Sequence, residues 1–264
     1  MITLTVKKLQ DRIYEFTEDG PEMNVDAYLV IGDQKAMMID GLMAAEGLYE
    51  EARKLTQLPL EMIVLHGHPD HAGNGTKEFI EAGCPVYMKK EDLAILPEFD
   101  IHYPEEAFTW MTDGEVFDLG GMSLQVMSLP GHTPGSCILY CKEKNVIFSS
   151  DSMGSGDIWM WLPHSTTLSQ YREKLTLVLS FIREHPDVVI YVGHASQVPD
   201  YRGDGGGFTD LAYAEDLMEV TEDLIERKKE GIQIEDPSPR IKGVDVYRTS
   251  GKIMIGYTYD PKKL

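Results

Sequence analysis

Residues 62–71 read Met62-Ile63-Val64-Leu65-His66-Gly67-His68-Pro69-Asp70-His71. The four leading apolar residues fit a short, fully buried strand, and the polar cluster begins where that strand stops. Three imidazoles and one carboxylate within six residues would be costly to bury in a core unless each found a partner. Neutral imidazole and carboxylate are the ligands that borderline cations such as zinc, iron(II) and manganese(II) favour.

Working upstream, residues 2–6, 13–16, 24–31 and 36–39 alternate apolar runs with turns, which predicts an antiparallel meander. Residues 44–55 carry apolar positions at helical spacing. Downstream, the pattern predicts a helix over 75–82, a strand over 86–88, a helix near 91–96 and a loop over 100–104. Strands over 116–119 and 123–129 follow, the second running into Pro130-Gly131-His132. Residues 137–141 and 146–148 flank Lys142-Glu143-Lys144-Asn145 as a hairpin should, and lead to Ser149-Ser150-Asp151. A long amphipathic helix is predicted over 168–184, and the apolar strand 188–192 ends at Gly193-His194. His132, Asp151 and His194 thus join the first cluster as metal-type side chains placed after strands. Ordinary core histidines would give no reason for all seven groups to follow apolar strands or sit in turns. Beyond them come a flexible loop at 203–207, a helix over 208–229 and a hairpin over 244–257 turning at Ser250-Gly251.

Length and composition set the frame. A chain of 264 residues with 42% hydrophobic side chains can bury a sizeable core. No stretch rich in Gly, Pro or Ser divides it, so a single domain over 1–264 is expected, with 208–264 as a C-terminal helix and hairpin extension. Acidic residues outnumber basic ones by 44 to 24, a formal charge of −20 that would repel a phosphate backbone and argues against nucleic acid as a partner. No leader-like or membrane-length apolar run occurs, so a cytoplasmic protein without a membrane partner is expected. Cys84, Cys137 and Cys141 match no zinc-binding cysteine spacing and read as buried free thiols.

The segment HGHPDH resembles the H-x-H-x-D-H signature of the metallo-β-lactamase superfamily, and further landmarks of that family follow in order over about 24–198. Asn24 to Gly41, ending in Ile39-Asp40-Gly41, is similar to the family's opening hairpin and its D-x-G-like turn. Pro130-Gly131-His132-Thr133-Pro134-Gly135-Ser136, Ser150-Asp151 and Val192-Gly193-His194 are similar to the segments that supply its remaining ligands. The resemblance implies an α/β protein, an αββα sandwich of two mixed β-sheets flanked by helices, with the metals at one edge between the sheets. It implies two divalent ions, zinc first and iron or manganese as alternatives. His66, His68 and His132 would hold one, Asp70, His71 and His194 the other, and Asp151 would bridge. Metal-bound hydroxide would be the nucleophile, Asp70 would orient it and relay its proton, and Asp40 would accept a hydrogen bond from a ligand imidazole.

Around this centre, His164, Trp159 and Trp161 are candidates for contact with substrate, and His102 and Tyr103 for an opposite wall. Asp151 stands where many β-lactamases of the superfamily carry cysteine. The chain therefore looks more like the glyoxalase II and lactonase branches, which hydrolyse small-molecule thioesters, esters or lactones. Alternatives within the resemblance are a persulfide dioxygenase using one iron, a β-lactam or phosphodiester hydrolase on the same site, and a non-catalytic binding protein. Residues 208–264 are expected either to cover the site or to form a homodimer contact.

Overall fold

In the computed structural model, the described residues are 2–21, 24–198, 207–234 and 245–258. The chain opens with β1 (Thr3–Gln10), β2 (Ile13–Asp19), β3 (Asn24–Ile31) and β4 (Ala36–Ile39). It continues through α1 (Leu48–Leu55), β5 (Leu60–Ile63), the short α2 (Pro69–Ala72), α3 (Asn74–Glu81), β6 (Val86–Met88) and β7 (Phe108–Trp110). These strands make a seven-stranded sheet in chain order, antiparallel up to β4 and parallel from β4 to β7.

The second half supplies β8 (Val116–Asp118), β9 (Ser123–Ser128), β10 (Cys137–Cys141), β11 (Val146–Ser150), β12 (Asp157–Trp159), α4 (Leu168–Glu184), β13 (Val189–Val192), β14 (Phe208–Thr209) and α5 (Leu211–Ile225). Its sheet runs β14-β13-β11-β10-β9-β8, with β11 and β13 parallel and the other pairs antiparallel. Alternate residues of each strand point to opposite faces, and both faces are apolar here. Tyr28, Val30, Ile39 and Ile63 of the first sheet share a core with Leu124, Val126, Leu139 and Phe148 of the second. The other face of the first sheet packs Leu29, Met38 and Met62 with Leu48 and Ala52 of α1 and Phe79 of α3. The other face of the second packs Ile138, Ile147 and Ile190 with Tyr171 and Leu175 of α4 and Tyr213 and Leu217 of α5. The expected αββα layering is therefore present.

Tertiary partners decide where the local pattern misleads. Near 91–96 the chain forms 3-10 turns at Lys90–Asp92 and Leu96–Phe99 instead of a helix, the N–H groups of Asp92, Leu93, Ile95 and Glu98 each reaching back three residues. Pro97 sits in the first turn of the second, where no N–H partner is needed. Phe208 and Thr209 pair with Tyr191 and Ile190 as a strand. The helix starts only after Asp210, whose Oδ1 accepts the N–H groups of Ala212 and Tyr213. The expected C-terminal hairpin forms from β16 (Val246–Arg248) and β17 (Met254–Thr258), with β15 (Ile232–Ile234) on its outer side. β17 also pairs in parallel with β12, making a third, four-stranded sheet from a segment that reads locally as loop. Trp161, Leu162 and Val246 form its small apolar core. Of the 203–207 stretch only Gly207 lies among the described residues. No helix among the described residues is long and apolar enough to cross a membrane. The three cysteines are free, with Cys137 and Cys141 buried and Cys84 half-buried.

Candidate metal centre

β5, β11 and β13 run parallel to neighbours within their sheets, and the turns beyond their ends carry His66 to His71, Asp151 and His194 to one edge of the sandwich. The backbone there is unusual for side chains with a Cβ: Asp40, Leu42 and Ser150 take φ of 66°, 56° and 46°. Such left-handed positions persist where surrounding contacts over-determine them. Behind the loop that follows Asp151, the Tyr171 hydroxyl donates to the Ser152 carbonyl (2.8 Å) and the Tyr213 hydroxyl to the Met153 carbonyl (2.9 Å). Gly193 has no room for a side chain, since a Cβ would lie 2.4 Å from Asp151 Oδ1 and 2.7 Å from His71 Cε1.

Two groups of ligand-type atoms result. His66, His68 and His132 form one and Asp70, His71, Asp151 and His194 the other, the atoms of each lying within 4.8 Å of one another. Asp151 sits between them: its Oδ2 is 3.7 Å from His132 Nε2, 4.0 Å from His66 Nε2 and 3.4 Å from His194 Nε2. Asp151 Oδ1 is 3.5 Å from His71 Nε2, and Asp70 Oδ2 is 3.4 Å from His194 Nε2. His66 Nε2, His71 Nε2 and Asp151 Oδ1 are buried without a hydrogen-bond partner. Buried polar atoms left so are rare and expensive, and their convergence suits a cation. The two groups have the donor set of a divalent-metal site.

The outward nitrogens fix the tautomers. His132 Nδ1–H donates to the Trp159 carbonyl (2.9 Å) and His194 Nδ1–H to the Asn24 carbonyl (2.6 Å). His71 Nδ1–H donates to Asp40 Oδ2 (2.9 Å), the contact anticipated for Asp40. Ser150 Oγ donates to the same Asp40 oxygen (2.7 Å) and lies 3.2 Å from His66 Nδ1. In its neutral form each of these imidazoles thereby turns a Nε2 lone pair inward, although without a cation Asp151 and Asp70 outweigh burial and raise the pKa of His71 and His194 above the usual imidazole range. Burial holds His66 and His68 well below the usual imidazole range, with neighbouring imidazoles adding to it. Burial works against the charge of Asp151 as well, but His194 and His71 outweigh it and hold the carboxyl well below the usual range. Asp70 is likewise drawn down to about 2, burial being outweighed by His71 and His194.

The centre opens into a cleft of about 510 Å³ lined by Met43, Phe99, Asp157, Trp159, Trp161, Leu162 and Gln197, with His68, Asp70, His132, Asp151 and His194 at its floor. Trp159 is 44% exposed and Trp161 only 5%; both line the cleft, and Trp161 also packs with Leu162 and Val246 in the core of the third sheet. His102 and Tyr103 do not line this cleft. The chain reverses at Asp100 (φ 63°), which leaves Phe99 on the wall, while the Tyr103 hydroxyl donates to the Gly73 carbonyl (2.8 Å) and His102 faces Asp100. His164 stands behind His68, with the two Nε2 atoms 2.8 Å apart. Sequence reasoning passed over Ser150, Phe99 and Asp92. Ser150 stands beside Asp151, which was a usable signal; the other two come from the stretch of 3-10 turns and carry no local mark.

The family profile described as the Metallo-beta-lactamase superfamily matches residues 20–194. An acyl-coenzyme A thioesterase MBLAC2 of Gallus gallus is 29% identical over 195 residues, a match that takes in 60% of this chain and 66% of that protein. The hydroxyacylglutathione hydrolase GloC of Haemophilus influenzae is 29% identical over 187 residues, covering 64% of this chain and 84% of its own. Among solved structures, the DIM-1 metallo-beta-lactamase superposes with a TM-score of 0.67 at 16% identity, over 85% of this chain and 100% of the other. A metallo-beta-lactamase from Pontibacter korlensis gives 0.65 at 17% identity, over 84% and 100%. At such identities the structural likeness speaks for the fold, and it agrees with the profile match over most of the sandwich and all seven of the clustered side chains. The chain belongs to the metallo-beta-lactamase superfamily.

Proposed function

We propose that the chain is a metal-dependent hydrolase of a small-molecule thioester, ester or lactone. His66, His68 and His132 would hold one divalent cation and Asp70, His71 and His194 a second, with Asp151 between them. The observation that carries the proposal is the convergence of these seven side chains in two adjoining groups, five of them lining one cleft and three of their atoms buried and unpartnered. When bound, a pair of such cations polarises a substrate carbonyl and lowers the pKa of a water molecule to about 7.

The chain's own residues do the rest. Asp70 remains a carboxylate at neutral pH and lines the cleft, so it can orient a water molecule and take up its proton. In a thioester the acyl carbon then gains oxygen and loses sulfur, and the proton passes to the departing thiolate, which leaves as thiol. Phe99, Trp159, Trp161 and Leu162 exclude water from the apolar part of the substrate. Thioesters are favoured because the relatives just described carry the names of an acyl-coenzyme A thioesterase and a hydroxyacylglutathione hydrolase.

The test is metal content of the purified protein, followed by a screen of thioesters, lactones, phosphodiesters and β-lactams with the metal-loaded protein. About two equivalents of metal are expected, since seven ligands exceed what one ion with an open position requires. Thiol release should stop on chelation and return on adding metal. One tightly held iron, with oxygen consumed on adding a persulfide, would replace this reading by the dioxygenase one.

A further inference from the structure

Four of the five clustered imidazoles that belong to the centre share one arrangement, with Nδ1 engaged by a neighbour and Nε2 turned inward. His68 is inverted. Its Nδ1 lies 2.7 Å from His132 Nε2, on the metal-facing side, and its Nε2 faces away, 2.8 Å from His164 Nε2. His164 Nδ1 in turn lies 3.2 Å from Glu98 Oε2.

The tautomers of these two rings are linked. For His68 to offer a lone pair at Nδ1, its proton must sit on Nε2, where only an acceptor can face it. His164 Nε2 is that acceptor when the His164 proton is on Nδ1, and a carboxylate facing Nδ1 secures that arrangement. The hydrogen bonds then run in one direction, from His68 Nε2–H to His164 Nε2 and from His164 Nδ1–H to Glu98 Oε2. The opposite tautomer of His164 would aim Nε2–H at His68 Nε2, so that the His68 proton would have to move to Nδ1 and point at His132 Nε2, and it would set a bare His164 Nδ1 lone pair against the Glu98 carboxylate. The His68 ring is also fixed from the side, by the Phe99 ring at 5.3 Å in an edge contact. Glu98 and Phe99 belong to one 3-10 turn, Leu96–Phe99, so a single turn supplies both the carboxylate and the ring.

We infer that Glu98 and His164 are a positioning pair that sets the tautomer and ring orientation of His68 so that it presents Nδ1 to the metal centre. The inference rests on the metal-centre reading above. It moves His164 from contact with substrate to support of a ligand, in keeping with its place behind His68 and off the cleft wall. Outer partners of this kind are worth about 10- to 100-fold in metal affinity.

Apo protein is titrated with zinc against a chromophoric chelator, comparing wild type, His164→Ala, Glu98→Leu and Glu98→Gln. The protonated ring nitrogen of His68 in the zinc-loaded proteins is read from nitrogen-15 correlation spectra. His164→Ala is expected to weaken zinc binding by about 10- to 100-fold, and Glu98→Leu, a change at a half-exposed side chain that leaves the core intact, should weaken it in the same direction. Glu98→Gln should recover most of the loss, since its amide oxygen still accepts from His164 Nδ1–H. Wild-type His68 should show its proton on Nε2. Zinc affinities of His164→Ala and Glu98→Leu equal to wild type, or a His68 proton found on Nδ1, would overturn the inference while leaving the metal centre standing. A wild type that binds no zinc would overturn both.

Discussion

Asp92 accepts the backbone N–H of Gly67 at 2.8 Å, so the residue between His66 and His68 is tied to a carboxylate 25 positions along the chain. The same carboxylate accepts the Gly135 N–H and the Thr133 hydroxyl, each at 2.6 Å. Two ligand-bearing turns, one from each sheet, thus hang on a single fully buried side chain. Burial pushes its pKa up to about 6, against the pull of Thr133, Gly67 and Gly135.

Asp92→Ala would leave the buried Gly67 and Gly135 N–H groups without an acceptor, at about 1–3 kcal/mol each, and leave the Thr133 hydroxyl only Ser136 Oγ as a neighbour. Allowing for partial relaxation, the apo protein should lose roughly 3–5 kcal/mol in urea unfolding. Asp92→Asn keeps one acceptor oxygen and should fall between the two. Equal midpoints for wild type and Asp92→Ala would show that the turns are held by other contacts.

The C-terminal sheet sets the cleft wall through Gly256. A Cβ at that position would lie 2.6 Å from Trp161 Cδ1 and 2.8 Å from Nε1. Gly256→Ala must therefore displace the Trp161 ring, which lines the cleft. With an accepted thioester, KM should change by about 3- to 30-fold, since the displaced ring alters ground-state contacts with substrate. Metal content should stay at the wild-type value, and a variant that lost metal would contradict the separation of wall from floor.

A third outcome concerns pH and lies away from the cleft. Glu15 is only 6% exposed; burial first, and the charge of Asp26 second, push its pKa up to about 7 from 4.5, and Lys7 opposes them. A carboxyl whose pKa is raised by folding adds stability below the unfolded value, and that contribution is lost as pH rises through the folded one. Glu15→Gln should therefore stabilise the protein by roughly 1–3 kcal/mol at pH 8, with the two proteins converging toward pH 5. Melting curves at both pH values check this. A stabilisation as large at pH 5 as at pH 8 would mean that packing, not charge, is responsible.

Much of this molecule could be read from local pattern. The strand ends carrying His66, Asp151 and His194 were legible because apolar runs stop where polar clusters begin. The helix Leu168–Glu184 was legible from its apolar spacing, and Thr167 and Gln170 close it with reciprocal capping bonds. The parts that escaped depend on distant partners. Asp157–Trp159 becomes a strand because β17, almost a hundred residues later, lies beside it. Asp100 turns back in a left-handed conformation that exchanges Phe99 for the expected His102 and Tyr103 on the wall. Glu98 and Asp92 act through His164 and Gly67, and nothing in a linear reading pairs positions so far apart.

Asp151 carries the strongest claim. Its two oxygens face both ligand groups, Oδ2 toward His66, His132 and His194 and Oδ1 toward His71. Removing it deletes one negative charge placed between the two cation positions, where it would offset their mutual repulsion. The position served by Asp70, His71 and His194 would keep one carboxylate, whereas the other would keep three neutral imidazoles, so neither is abolished. Asp151→Ala should bind the first zinc almost normally and the second at least about 10-fold more weakly, with hydrolysis down by two or more orders of magnitude. The fold should survive, since the turn is held by backbone bonds from Gly154 N–H to the Asp151 carbonyl and from Ser152 N–H to the Ser149 carbonyl. Titrating zinc into both apo proteins separates the outcomes, and superimposable binding curves would mean that Asp151 joins no pair of cations.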